Sequence, residues 1–388
     1  MKVALISEWI DPWRGGAETS TTQFLHHLMD RGTEVHLFTR SRPSPTPTLK
    51  VHYIGGATMS RTRRSVTFAH RVARLVRQDR YDVIHAISPC TCADIYQPRG
   101  GTVAESIERN LAIIPSGPGR FIKRYGNRFN FKQRYSLAME REIFGGGVPI
   151  IVAISDYVID QLRRHYDVPL GAIRKIYNGV NPDDTDPADR RRHREEVRRE
   201  YHIADDHCLV LLIAHNFRLK GVARWMEAMA LIKQHGVTNV RSLVIGKGDS
   251  LRWHRLAARL GVADCVTFTG PSDRIQTMLH AGDVLVHPTY YDPCSRVVLE
   301  ALSCGLPCIT TSYDGASEVI EPGKHGLVVS TPDDVDELAR AVVTLADPQT
   351  RARISAACKP LQRRIAMHRH VDEMLSLYHD LGVQTTAV

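Results

Sequence analysis

Short apolar runs rich in β-branched residues recur along the chain and alternate with longer stretches in which apolar positions return with a helical period. That rhythm predicts a doubly wound parallel sheet, each strand followed by a crossover helix. In the first half strands are expected at residues 3–7, 34–39, 82–86 and 149–153; in the second, at 209–214, 241–246, 265–269, 283–287 and 307–311. Residues 181–206 are rich in Asp and then in Arg, with no apolar period until the Val197 region, and read as a linker. The expected fold is therefore α/β: two Rossmann-like doubly wound domains facing a central cleft, residues 1–180 and 207–388, with a last helix that can pack back on the N-terminal domain. In open parallel sheets ligands sit beyond the carboxyl ends of strands, so chemistry is sought there.

A length of 388 residues exceeds what one core usually serves, in keeping with two domains. The longest unbroken apolar run, 208–214, is far short of the roughly 20 residues that cross a bilayer. Residues 1–7 are too brief for a secretory apolar region and are followed by Glu8 and Asp11, so a cytoplasmic protein is expected. The eight cysteines are scattered, without zinc-type spacing, and read as reduced thiols; the Cys90-Thr-Cys92 pair lacks the four ligands of a structural metal. A net charge of +9 implies an anionic partner: nucleic acid, membrane surface or phosphorylated substrate.

Three loops after predicted strands carry candidate chemistry. Gly15 and Gly16 precede a helical pattern over 19–29, where a close backbone approach and free N–H groups suit a phosphate or a developing negative charge. A lone Gly-Gly equally marks a plain turn. No Gly-x-Gly-x-x-Gly occurs, which argues against a dinucleotide enzyme. Arg218 and Lys220 stand at a strand-to-helix loop, placed to neutralise a diphosphate or simply solvated. The stretch from His287 to Pro307 reads as strand end, loop, and a helix capped near Cys294 or Ser295 and closed by Gly305 and Pro307. Glu300 falls about one turn inside that helix and Asp292 in the loop before it, so both carboxylates can face one cleft beside the helix N-terminus. A carboxylate near a helix start can also merely satisfy backbone groups.

These motifs, with the Asn178-Gly179-Val180 turn and Gly246-Lys-Gly248, resemble the retaining GT-B glycosyltransferases of family 4 over nearly the whole chain. Within that family the chain resembles the bacterial glucosyltransferases that add the first glucose to heptose of the lipopolysaccharide inner core. Asp292 and Glu300 match the family's pair of glutamates separated by seven residues. The resemblance implies that Glu300 holds the donor ribose hydroxyls and that Asp292 lies by the transferred sugar. It places the amides of Ser295, Arg296 and Val297 by the diphosphate and makes Lys220, with Arg218, the basic pair. Asp292, Arg99 and Lys220 are then the catalytic candidates, and Gly15 and Gly16 form the glycine loop near acceptor and phosphate. Two departures stand out. Asp292 replaces a glutamate, shortening its reach by about 1.5 Å. Arg99 stands where relatives carry histidine or aspartate near the reacting centre, so it either stabilises charge or leaves proton transfer to another residue.

The resemblance further implies retention at the anomeric carbon, a donor such as UDP-glucose, a glycan or lipid-linked acceptor, and neither cofactor nor metal. The rival enzyme class is a GT-B sugar-nucleotide 2-epimerase, which needs no acceptor. A basic nucleic-acid-binding protein is disfavoured, because aromatic residues are only 7% and no nucleic-acid motif is present. Positive charge instead concentrates at Arg120, Lys123, Arg124, Arg128, Lys132 and Arg134, interleaved with Phe121, Tyr125, Phe129, Phe131 and Tyr135. The expectation is peripheral attachment to an anionic inner leaflet through 120–134, against the alternative that the aromatic side packs on its own domain.

Overall fold

Val3, Ala4, Leu5 and Ile6 are all buried, as a strand covered on both faces must be. They belong to an interior strand of the first sheet in a computed structural model that describes residues 1–11, 15–55, 61–248 and 250–386. Among those residues the sheet comprises β1 (Lys2–Ile6), β2 (Glu34–Thr39), β3 (Leu49–Tyr53), β4 (Val83–Ala86), β5 (Ile95–Tyr96), β6 (Ile150–Ala153) and β7 (Ile173–Lys175). Their spatial order is β3-β2-β1-β4-β5-β6-β7, every pairing parallel, with Val3 opposite both Val35 and Val83. The strand order reverses between β1 and β4. Strands β3, β5 and β7 escape the sequence pattern because they are short or carry polar, exposed positions such as Lys50, Arg174 and Lys175.

The chain divides into two units, Met1–Gly179 with Met367–Val388, and Val180–Ala366. The boundary after residue 180 lies one residue from this division, but the second domain does not run to the C-terminus. Helix Met367–Thr386 puts Met367, Val371, Met374 and Tyr378 into the first unit's core beside Phe24 and Leu28. Arg31 Nε lies 2.7 Å from Asp372 Oδ1, and His85 Nδ1 lies 2.7 Å from the Tyr378 hydroxyl.

In the second unit β8 (Cys208–Ile213), β9 (Val240–Ile245), β10 (Val266–Gly270), β11 (Val284–His287), β12 (Cys308–Thr311) and β13 (Gly326–Val329) form a parallel sheet in the order β10-β9-β8-β11-β12-β13. Here the order reverses between β8 and β11. Residues 181–206, expected as a linker, are not one. They contain helix Pro187–Glu200, capped by Asp186 and packed on helix Ile275–Ala281. The helix lacks an apolar period because charge holds it: Arg194 Nη2 and Arg198 Nη1 bind opposite oxygens of the buried Asp283, at 2.9 and 3.2 Å. Arg198 also donates to the Ala204 and His207 carbonyls, so both terminal nitrogens of a side chain normally solvated are paired inside.

Candidate functional site

The second unit's best candidate site lies at its strand-order reversal, where the loops after β8 and β11 meet. Gly221 has φ +69°, and a Cβ there would stand 2.0 Å from the Pro288 carbonyl oxygen, so only glycine lets the loops close this far. Tyr290 N donates across the seam to Leu219 O at 2.9 Å. The seam aims Lys220 at the second loop: its Nζ lies 2.5 Å from Asp292 Oδ2 and 3.0 Å from the Tyr291 carbonyl. One of the three ammonium donors is left for a ligand.

Asp292 is held from several sides. Its N–H donates to Tyr313 O and its carbonyl accepts from Gly315 N, both at 2.9 Å. His287 Nε2, at the end of β11, lies 3.4 Å from Asp292 Oδ2 and 3.2 Å from Ser295 Oγ. Burial alone would raise this carboxyl, but the Lys220 ammonium and the His287 imidazole outweigh it and hold Asp292 below the usual carboxylate range. Next to it Asp314 is fully buried and accepts from Ser295 N (2.9 Å), Ala316 N (2.9 Å) and Thr310 Oγ1 (2.8 Å). Burial, and then the neighbouring Asp292 charge, push Asp314 up.

Helix Arg296–Ser303 starts at the N-cap Ser295. The Ser295 amide, expected beside a diphosphate, is turned inward and committed to Asp314. Its part is to fix the loop. The amides of Arg296 and Val297 lie in the first turn, where a helix supplies no acceptor of its own, and they remain the N–H groups suited to an anion. Glu300 Oε1 lies 2.8 Å from Arg296 Nε, while Arg296 Nη1 is buried without a hydrogen-bond partner. Arg218 is exposed in the loop after β8. The fold thus gathers Lys220, Asp292, Ser295, Arg296, Val297 and Glu300 at one reversal point.

Arg99, Gly15 and Gly16 belong to the first unit. Gly15 is the N-cap of helix Gly16–Asp30, and its carbonyl accepts from Thr19 N and Oγ1; Pro12, Trp13 and Arg14 lie outside the described residues. Arg99 is buried. It donates to Gln97 Oε1 (2.8 Å) and Ser20 Oγ (2.9 Å), stacks over Phe24, and lies 3.5 Å from His370 Nε2. In this setting its charge joins the C-terminal helix to the sheet.

Sequence reasoning missed His287 and Asp314. Each closes or follows a predicted strand, and a polar residue there was the available signal. Two clusters among the described residues have metal-compatible spacing, Asp183–His280–Cys304 and Glu105–Glu108–His165. Arg190 Nη2 occupies Asp183 Oδ2 at 2.8 Å, and Arg109 and Arg164 pair with Glu105, so protein cations already answer both.

Comparison with known proteins adds to this geometry. Residues 14–184 match the family described as Glycosyltransferase Family 4, and residues 208–348 match Glycosyl transferases group 1. The lipopolysaccharide glucosyltransferase WaaG of Escherichia coli (strain K12) is 28% identical over 221 residues, 56% of this chain and 59% of WaaG. The alpha-D-kanosaminyltransferase of Streptomyces kanamyceticus is 27% identical over 60% of this chain and 61% of its own. The chain therefore matches about three-fifths of the length of these relatives. A crystal structure of WaaG superposes with a TM-score of 0.79 at 21% identity, covering 97% of this chain and 99% of that one. Anabaena Alr3699/HepE, solved with UDP and glucose, superposes at 0.70 with 18% identity, covering 98% of this chain and all of that one at 100%.

Proposed function

Because the chain belongs to the family 4 glycosyltransferases of the GT-B fold, we propose that it transfers a hexose, glucose from UDP-glucose, to a glycan or lipid-linked acceptor such as lipopolysaccharide core heptose, with retention and without a metal. The observation that carries this reading is the convergence of Lys220, Asp292 and the first turn of helix Arg296–Ser303 where the strand order reverses between β8 and β11. As the nucleoside diphosphate departs, negative charge grows on it. Lys220, Arg218 and the Arg296 and Val297 amides are the groups that stabilise it, in the role a divalent cation plays elsewhere. Glu300 takes the ribose hydroxyls, while Asp292, kept ionised, supports the oxocarbenium-like sugar. Asp314 accepts three hydrogen bonds inside the loop and is no nucleophile, which favours front-face attack by the acceptor hydroxyl. WaaG's name supports glucose and lipopolysaccharide, and HepE's bound UDP and glucose support the donor.

A panel of nucleoside diphosphate sugars, assayed by released diphosphate with and without heptose-terminated core acceptor, tests the proposal. Acceptor-dependent UDP release from UDP-glucose is expected. Conversion of the sugar nucleotide to an epimer without acceptor would instead establish the isomerase.

The acceptor side also supports a peripheral membrane enzyme. Helices Pro118–Arg128 and Phe131–Glu142 leave Phe121 (67% exposed), Ile122 (69%), Phe129 (75%) and Phe131 (67%) in solvent beside the exposed Lys123, Arg124, Lys132 and Arg134. Such a contiguous apolar surface rimmed by cations suits an anionic lipid leaflet. Arg120 does not join it: its guanidinium donates to the Ile114 and Ala112 carbonyls, closing the preceding helix. The Arg128 side chain is not among those described. No helix among the described residues is long and apolar enough to cross a membrane.

A further inference from the structure

Cys90 Sγ and Cys92 Sγ lie 2.8 Å apart, less than about 1 Å beyond a bonded S–S distance. They sit in the loop between β4 and β5, which leaves the carboxyl end of β4 at the first sheet's own reversal point, beside the loop after β1, and runs back to the amino end of β5. That carboxyl end is where a doubly wound sheet takes its ligand. The loop is tied at both ends. Ser88 Oγ accepts from Glu8 N at 2.7 Å, and Asp94 Oδ2 accepts from Ile84 N at 2.8 Å. Only residues 89–93 lie between the ties, and the two sulfurs fall within them. Cys90 is buried and Cys92 half-buried. The Cys92 thiol and the Cys92 and Thr91 amides, directed at the Cys90 sulfur, outweigh burial and draw Cys90 below the usual thiol range, while Cys92 is pushed up. A cross-link spanning one intervening residue closes so small a loop that it removes little unfolded-state entropy, so it is no structural staple. Labile disulfides are the regulatory ones.

We propose that Cys90 and Cys92 form a reversible disulfide, a modification site for low-molecular-weight disulfides that re-sets the loop at the first sheet's strand-order reversal. The half-buried Cys92 sulfur meets the oxidant RSSR: a Cys92–SR bond forms, the RS–SR bond breaks, and one RSH leaves with the Cys92 proton. The Cys90 sulfur then attacks that of Cys92, the Cys90–Cys92 bond forms, and the second RSH leaves with the Cys90 proton. The protein loses two electrons and RSSR gains them.

The test equilibrates the full chain in glutathione buffers from reducing to oxidising, alkylates free thiols, and reads the mass of the peptide bearing residues 90–92. Expected is one two-electron transition to a peptide two hydrogens lighter, reversed by dithiothreitol, with the remaining cysteines still alkylated after unfolding. Hydrogen exchange across 87–97 and 7–11 should differ between the two forms, and Cys92→Ser should abolish that difference. Alkylation of both thiols at every ratio, a persistent glutathione adduct, identical exchange in the two forms, or an exchange change that survives Cys92→Ser would each overturn the proposal.

Discussion

Lys220 Nζ stands 2.5 Å from Asp292 Oδ2, so the group proposed for the diphosphate and the group proposed for the sugar are ion-paired with one another. Each orients the other, and their effects on catalysis should not multiply. Lys220→Ala and Asp292→Asn are each expected to lower kcat/KM tenfold to a hundredfold or more, the loss of one or two charge-assisted hydrogen bonds of about 1.5 to 3 kcal/mol. The double variant should lose far less than the product of the two. Steady-state kinetics on the four proteins decides it; wild-type values for Lys220→Ala would remove Lys220 from the donor site.

Glu300→Gln addresses the ribose contact separately. Glu300 is half-buried on a helix whose core side is filled by Val298, Leu299 and Leu302, so the fold should survive. A tenfold to hundredfold loss is expected, carried mainly in the donor KM, because the contact is made equally in ground and transition states. An unchanged donor KM counts against the assignment.

Metal removal is the third check. With Lys220, Arg218 and two helix amides in the cation's role, turnover should persist in excess EDTA. Abolition by the chelator with rescue by a divalent ion would overturn the electrostatic mechanism.

Acid should destabilise the first unit through two buried imidazoles. His370 donates from Nδ1 to Tyr177 O at 2.8 Å and turns Nε2 toward Arg99; burial first, and then the Arg99 charge, lower it to about 3. His85, buried beside Tyr378, is lowered well below its ordinary value for the same reasons. Below the ordinary histidine pKa of about 6.5 the unfolded chain binds protons the folded one refuses, so stability falls as pH drops from there toward 3. The slope is about 1.4 kcal/mol per pH unit for each group. Thermal melts between pH 8 and pH 5 should show it, and His370→Asn, which keeps the donor but cannot titrate, should flatten the curve. No change in slope for that variant would refute the coupling.

Membrane attachment is measured with vesicles. Each cation near an anionic leaflet contributes on the order of 1 kcal/mol, so binding to anionic vesicles should disappear in high salt. It should also disappear when Lys123, Arg124 and Lys132 become glutamine. Equal binding to neutral vesicles, or a dimer that buries Phe129 and never binds lipid, would overturn it.

Most strands that sequence pattern located are covered on both faces, as β1 and β8 are, because burial there demands an unbroken apolar run; β10, with Thr267 exposed, is an exception. β13 escaped it, being four residues long with Leu327 and Val328 half-exposed. That Lys220, Asp292 and Glu300 come together was legible because all three follow the ends of predicted strands. Asp314 was not, since its importance comes from three donors folded around it. The Arg-rich helix Pro187–Glu200 was read as part of a linker because its acceptor, Asp283, lies far along the chain. The surroundings of Arg99 were hidden for a similar reason: its neighbour His370 is 271 residues away.

Distance along the chain has a consequence during synthesis. The second unit is an insertion whose ends meet, Val180 pairing with Ala366 and donating to Ile365 O at 2.9 Å, so every residue it needs has emerged by the time Ala366 clears the ribosome. The first unit begins 179 residues earlier and cannot finish, because Met374 and Tyr378 of its core emerge only after Ala366 does. The N-terminal sheet must therefore wait, part of its apolar surface uncovered, while the later domain closes, and a nascent chain stalled before residue 367 is the form that needs chaperones.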